Sequence, residues 1–496
     1  MPFVYNFPFF SIFVCMVSGI ITPLLKNGKS AYRVSLFASA AGLCLSAALL
    51  LRVAPAGESF SYMMGHFPAP WGNELSVGPL EALLATAVCF VMLMALLGGR
   101  KDLFEDVLPE KQKFLFIMMD LNLAALLALT YTNDIFTSYV FIEICTIAAC
   151  AVVMAKDTAA TLVATMRYLI MSLLGSGLVL IGIVLLYSIT GHLLFPNIQE
   201  RVVAIAASGE FAVPLTVVIG LIVLGLGIKS AMFPFHLWLP PAHGSATTAA
   251  SSVLSGLVVK GYIILMIRLF YKVFTVEVIR ENHITDVVFV FGLAGMIIGS
   301  VNAMQEGHIK RMLAYSSVAQ LGYIFMGIGL GTEAGIWAAV FQILVHAVTK
   351  PMLFGCAGAL SACRHHEKKL HNLRGAAYEN RLAGVGFTVG ALSMIGIPLF
   401  GGFAAKVFFA SSSLEMPGKM WLTLLTLALS TVLNALYYIP AVTVLWSKTQ
   451  PEEKGETLPA DKTFTVSTVC FIAAVLVLGI FFDPIMTVIE TGVALL

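Results

Sequence analysis

Charge is scarce in this sequence. Asp, Glu, Lys and Arg make up 11% of the 496 residues, where soluble domains carry roughly a quarter. Hydrophobic residues reach 59%. This balance excludes a soluble globular chain and points to an all-α polytopic membrane protein. Long polar stretches are missing too. The longest segments between apolar runs, 54–77, 191–211 and 363–381, are too short to fold into a separate catalytic domain. No glycine-rich phosphate loop and no basic block is present, which argues against nucleotides and nucleic acids. The eight cysteines lie almost entirely in apolar stretches without CxxC pairs or ligand spacing, so no metal, iron–sulfur cluster or other cofactor is expected within the chain. The first 25 residues lack a basic leader region and read as a retained first helix.

What is abundant is apolar sequence in runs of roughly 18 residues or more. About fourteen such runs lie between 5–24 and 464–482, with only short loops between them. Lys and Arg concentrate on the odd-numbered loops, which places those loops in the cytoplasm of a cell (inner) membrane protein and both termini outside. The stretch 221–269 stands out. It carries Lys229, breaks at Pro234, turns through Pro240 and Pro241, and resumes around Lys260. A second break, at Gly396-Ile397-Pro398, falls five helices later, in the twelfth, with Lys406 just beyond. An odd number of helices between matching breaks predicts two inverted five-helix repeats. The expected divisions are 1–110 for helices one to three, 111–275 and 276–450 for the repeats, and 451–496 for the last helix.

Ionisable residues inside a membrane are costly and mark ion pathways by default. Glu143, near the middle of the fifth run, is expected opposite Lys229, because a lone carboxylate in hydrocarbon would be neutralised or excluded. Such a pair is either a switch, in which each charge tunes the other's proton, or a static ion pair locking two helices. His346 and Lys350 are spaced i, i+4 and share one face of the eleventh run, where a histidine either relays protons or is satisfied by neighbouring carbonyls. Pro351 frees a backbone carbonyl at that point. Lys260 and Lys406 extend the row. His243 and His236 flank the first break, and His243 is a candidate proton entry, the alternative being a solvated loop histidine. Arg167 reads as a snorkelling side chain. His365, His366, Lys368 and Lys369 read as a solvated loop, Tyr131, Thr132 and Asp134 as an interfacial turn, and Ser316, Ser317 and Gln320 as water-holding or helix-packing groups.

At these residues the chain resembles the antiporter-like subunits shared by respiratory complex I, Mrp-type sodium/proton antiporters and energy-converting membrane hydrogenases. The stretches that carry the likeness are TNDIFTSYVFIE, GLGIKSAMFPFHLWLPPAH through SGLVVKGY, KRMLAYSSVAQLGYI, and LVHAVTKPMLF followed by GIPLFGGFAAK. The resemblance implies that the family's proton-pathway residues fall on Glu143, Lys229, Lys260, His346 and Lys406. Ile142, Pro241 and Thr247-Thr248 depart from the family's usual tryptophan, acidic residue and Thr-Pro. Without a C-terminal extension the chain is similar to the shorter members, including the D-type member of Mrp antiporters. Two functions follow as expectations. One is an ion-translocating subunit, moving protons or sodium ions, of a complex whose partner membrane subunits, other antiporter-like ones among them, carry out dehydrogenase- or hydrogenase-type redox chemistry. The other is a subunit of a gradient-driven cation/proton antiporter. A neutral-solute transporter would not need a row of mid-membrane lysines.

Overall fold

The computed structural model describes residues 3–68, 72–448 and 461–496. Among these residues thirteen helices are long and apolar enough to cross a membrane. They are α1 (Phe7–Ile21), α2 (Gly28–Ala56), α3 (Pro79–Gly98), α4 (Pro109–Tyr131), α5 (Ile135–Met154), α6 (Ala159–Thr190), α7 (Ala212–Lys229), α8 (Thr248–Phe274), α9 (Ile284–Gln305), α10 (Ile309–Leu330), α11 (Glu333–Ala362), α13 (Pro417–Leu445) and α14 (Lys462–Ile480). The remaining run, at 382–410, is split into α12 (Arg381–Ile395) and a second half, Gly401–Ser413. Of the fourteen apolar runs, thirteen therefore contain a helix of spanning length among the described residues, and one is split into two shorter halves. The expected division at 450/451 lies outside the described residues.

Polar residues and lipid shielding go together. The most apolar part of α8 is entirely buried inside the protein, and those of α10 and α11 are 94% and 89% buried. These three helices carry Lys260, Ser316, Ser317, His346 and Lys350, groups that lipid could not solvate. By contrast α6 and α13 present exposed apolar rows, such as Met166, Ile170, Leu173 and Val184 on one and Trp421, Leu425 and Leu429 on the other. Small residues bring the backbones together where side chains would not fit. A Cβ at Gly175 of α6 would lie 2.8 Å from the Gly225 carbonyl of α7, and one at Gly225 would lie 2.5 Å from the Gly175 carbonyl. That mutual approach seats Lys229, whose Cγ is also beside Gly175.

Both expected interruptions are present. After Lys229 the chain leaves α7 and resumes as a 3-10 turn, Phe235–Trp238, and a short helix, Leu239–Ser245. After Ile395 it leaves α12 through Gly396, at φ +91°. Each break contains one non-glycine residue in the left-handed region, Ala231 (φ 56°) and Leu399 (φ 86°), at about 1–2 kcal/mol of strain apiece. Trp238 covers the first break by donating from Nε1 to the Ile228 carbonyl at 3.2 Å, and Tyr168 stacks on the indole at 4.4 Å.

The loops hold structure that hydropathy did not reveal. A β-hairpin, β1 (Phe60–Met63) with β2 (Glu74–Val77), follows α2. Helices run over Phe195–Ser208 and, beyond α14, over Phe482–Ala494. Where the sequence suggests an interfacial turn, Tyr131 ends α4 and Thr132 and Asp134 make isolated bridges to Leu75 and Leu194. Asp134 caps α5 by accepting from the Thr137 N–H at 2.6 Å, and Tyr131 and Thr132 are fully buried.

Candidate functional site

Glu143 sits on α5 with a partly exposed side chain, 24%, while the Lys229 side chain it approaches is completely buried. Their charged atoms are 3.6 Å apart, an ion pair without a direct hydrogen bond. Ser176 of α6 donates to the same carboxylate oxygen. The ammonium instead donates to Thr146 Oγ1 at 2.7 Å and lies 5.3 Å from the Tyr262 ring. Thr146 and the Tyr262 hydroxyl are 3.3 Å apart. Lys229 is the last residue of α7, so its charge also meets the negative end of a half-helix.

The lysine of α8 is placed by a change of helix type. Leu254–Val258 forms a π turn within α8, which widens the helix and frees carbonyls from the regular ladder. The Lys260 ammonium donates to one of them, that of Ser255. Ser255 Oγ is 3.0 Å from Ser317 Oγ of α10. One residue earlier, Ser316 receives the Lys350 ammonium at 2.7 Å, and Lys350 also donates to the Leu313 carbonyl at 3.0 Å and to the Tyr438 hydroxyl at 3.1 Å. His346 and His243 complete this cluster. His346 is close enough to Lys260, Lys350 and His243 for their charges to act on it, and His243 faces Lys350, Lys260 and Lys310. Neither imidazole has a hydrogen-bond partner among the described residues.

Lys406 lies in the second half of the broken helix and reaches back to the Ile395 carbonyl at 2.5 Å and to Thr431 Oγ1 of α13 at 2.7 Å, 5.5 Å from the Tyr323 ring. Lys229 and Lys406 thus share one arrangement: the C-terminal end of a half-helix, a threonine hydroxyl and a tyrosine face. From Lys350 to Lys406 the contacts form a chain. The Tyr437 hydroxyl is 3.1 Å from Ser316 Oγ and donates to Asn434 Oδ1 at 2.7 Å, while Asn434 Nδ2 donates to the Tyr323 hydroxyl at 3.4 Å. Between Tyr262 and Lys260 no side-chain hydrogen bond closes the step among the described residues.

Residues singled out in the sequence fall into three groups. Lys229 pairs with Glu143; Lys260, His346, Lys350 and His243 gather around α8, α10 and α11; Lys406 stands at the far end. His243 and His236 are not solvated loop residues, since they are 0% and 3% exposed. His236 lies on the 3-10 turn and His243 on the short helix Leu239–Ser245, where the sequence suggests a turn. Both are folded inward, and His243 stacks on Phe354 of α11 at 4.7 Å. Arg167 is exposed and lines an open groove of about 520 Å³ with Lys156, His308, Arg311 and Lys368. Burial, together with the charges of Lys368, Lys310 and Arg311, pushes His308 down to about 4. Lys368 itself is half-buried and lines this groove, unlike a solvated loop residue, although His365 and His366 are exposed. Gln320 accepts from Gln342 at 2.8 Å and packs helices. The hydroxyl partners Thr146, Ser176, Tyr262, Tyr323, Tyr437 and Tyr438 carried no sequence signal, because such side chains are commonplace in membrane helices. Among the described residues no group of three or more His, Cys, Asp or Glu side chains is placed to hold a metal ion.

Comparison with known proteins agrees with this architecture. A family model described as NADH:quinone oxidoreductase/Mrp antiporter, TM, matches residues 132–434, from the turn before α5 into α13. The chain is 32% identical over 444 residues to NADH-quinone oxidoreductase subunit N of Desulforudis audaxviator, covering 89% of this chain and 86% of that one. It is 26% identical over 462 residues to the D-type member of the Na(+)/H(+) antiporter of Bacillus subtilis, covering 92% and 90%. In fold it is similar to a chain of the Mrp complex from a Dietzia species, with a TM-score of 0.87 and 21% identity over 100% of this chain and 97% of that one. With fourteen apolar runs, two interrupted helices and a match spanning the whole lysine row, the chain belongs to the NADH:quinone oxidoreductase/Mrp antiporter transmembrane family, as an antiporter-like membrane subunit.

Proposed function

We propose that this chain moves protons along Glu143, Lys229, Lys260, His346, Lys350 and Lys406 as one subunit of a multi-subunit energy-converting complex, coupled to redox chemistry in its partners. The observation that carries the reading is the excess of buried amines over carboxylates. Lys229, Lys260 and Lys350 are each no more than 2% exposed, yet Glu143 is the one carboxylate that ion-pairs with any of them or with Lys406 among the described residues. Static ion pairing would need a counter-charge for each. Hydroxyls and carbonyls serve an ammonium and can also serve a neutral amine, so each lysine can give up and regain a proton without losing its site. A proton reaching Glu143 removes the charge that holds Lys229 protonated, and the change passes on toward His346 and Lys350. His243, at the inner end of the first break, is the proposed entry. The interrupted helices α7 and α12 are proposed as equivalent elements of two inverted repeats, with the odd-numbered loops in the cytoplasm. A purified complex reconstituted in vesicles tests the reading: reductant-driven proton uptake is expected, and its absence with intact partners would overturn it.

A gradient-driven antiporter is the second reading, favoured by the nearly full-length match to the Bacillus subtilis antiporter protein. Identification of the co-purifying subunits separates the two. Redox subunits support the first reading, and antiporter subunits alone support the second.

A further inference from the structure

Among the described residues the lysine row leaves aside a membrane-embedded carboxyl that also has no counter-charge. Asp120 lies at the middle of α4 and is 1% exposed. Other buried acids have cations: Glu81 lies 3.5 Å from Arg268 and 3.2 Å from Lys272, and Glu143 faces Lys229. Asp120 has only hydroxyls. Ser18 of α1 donates to its Oδ2 at 2.5 Å and Ser35 of α2 donates to the same oxygen at 2.9 Å. The titratable groups turned toward this site from the packed helices are Cys15 of α1 and Cys89 of α3; α5 presents Cys145 to Asn122, two residues further along α4. No Lys, Arg or His side chain hydrogen-bonds or ion-pairs with Asp120 among the described residues. A carboxylate without a counter-charge in a dry interior takes up a proton rather than remain charged.

The surroundings offer a route for that proton. On α2, Ser35, Ser39 and Ser46 are spaced four and seven residues apart, which puts them on one helical face, and each is 1% exposed or less. Ser39 Oγ has no hydrogen-bond partner among the described residues. Ser46 Oγ lies 4.0 Å from Cys89 Sγ and next to Tyr131, the last residue of α4. Ser11, Cys15 and Ser18, spaced four and three residues apart, likewise share a face of α1 and are buried.

We propose that Asp120 is a second proton-binding site of this chain, protonated at rest and exchanging its proton along Ser35, Ser39 and Ser46, apart from the lysine row. On release the Ser35 hydroxyl turns from donating to Oδ2 to accepting from the carboxyl O–H. That O–H bond breaks as a new O–H bond forms to the Ser35 oxygen, and the proton that Ser35 held before passes on toward Ser39. The electron pair stays on Asp120, where the Ser18 hydroxyl holds the charge.

Infrared difference spectroscopy on the purified complex in membranes, in H2O and D2O, tests this. The wild type should show a protonated-carboxyl C=O band that shifts in D2O and changes intensity when an acid step is imposed. The band should be lost in Asp120→Asn, which keeps the volume and an acceptor oxygen for both serines, and kept in Glu143→Gln. Should Asp120→Asn fail to assemble, Ser18→Ala and Ser35→Ala leave the carboxyl in place and should raise the band frequency by removing one hydrogen bond. A spectrum unchanged by Asp120→Asn, or by both serine variants, means that Asp120 is ionised at rest and overturns the proposal. A band that ignores the acid step overturns the exchange, and one lost in Glu143→Gln overturns the separation from the row.

Discussion

The ammonium of Lys406 lies 2.5 Å from the carbonyl oxygen of Ile395, on the other side of the break in the twelfth helix. Ile395 ends α12, so a cation in the second half of the broken helix stabilises the negative end of the first. The break is thereby tied to a group that can titrate.

Lys406→Arg separates charge from proton exchange at this point. Arginine keeps a cation near the Ile395 carbonyl and Thr431 but does not release a proton. Assembly should be retained, while coupled proton uptake should fall by on the order of 100-fold, the usual scale for losing a positioned proton-transfer group. Quantitative uptake assays in vesicles, normalised to assembled complex, would measure it. Uptake at the wild-type rate would remove Lys406 from the pathway.

Glu143→Gln keeps the volume and an acceptor for Ser176 while removing the charge 3.6 Å from Lys229. Coupled uptake should be abolished with little loss of assembly. A pumping mutant would leave the pair as an anchor between helices α5 and α7.

Tyr438→Phe removes the hydroxyl that lies 3.1 Å from Lys350 and 2.8 Å from Ser316, and it keeps the ring 5.8 Å from the ammonium. The expected cost is about 1 kcal/mol of stability, read from thermal unfolding of the purified protein, together with slower uptake. Unchanged unfolding and uptake would mean that Ser316 and the Leu313 carbonyl satisfy Lys350 alone.

At the edge of the membrane, His308 gives a pH prediction of definite sign. The folded protein lowers it to about 4, from an ordinary value of 6.5, chiefly by burial. A group depressed by folding contributes stability that is present above its unfolded value and is lost as pH falls through the folded one. The unfolding temperature should therefore drop between pH 6.5 and about 4. His308→Asn, which still caps α10, should flatten that part of the profile.

The sequence disclosed the frame of this molecule because crossing a membrane demands long apolar runs, and because proline and glycine mark where a helix gives way. Glu143, Lys229, Lys260, Lys350 and Lys406 were legible for a related reason: each is too costly to leave in lipid. Tyr437, Tyr438, Tyr323 and Thr146 were not, since hydroxyls tolerate a membrane helix and announce nothing until a lysine is seen beside them. Asp120 carries the same signal in KFLFIMMDLNLAALL as Glu143 does in its own run, and only its lack of a charged partner sets it apart in space. The inward folding of His243 was hidden because the segment around it reads locally as a turn, while groups far along the chain, from Lys310 to Phe354, bury it.

The complete enclosure of α8 bears on how the chain is made. A helix carrying Lys260 and Arg268, both no more than 2% exposed, has no lipid-facing side in the finished protein. While it is being synthesised, α10 and α11, which pack around the π turn that holds Lys260, do not yet exist. A lysine at membrane depth costs about 2.5–3.5 kcal/mol in bare lipid, whereas Arg268 already has Glu81 and the Leu129 and Thr132 carbonyls. Nascent α8 therefore depends on waiting at the insertion machinery, or on leaning against α4 to α7, until the later helices emerge. A ribosome-bound chain ending soon after Phe274 should be poorly inserted at this helix, and one extended through α11 should be well inserted.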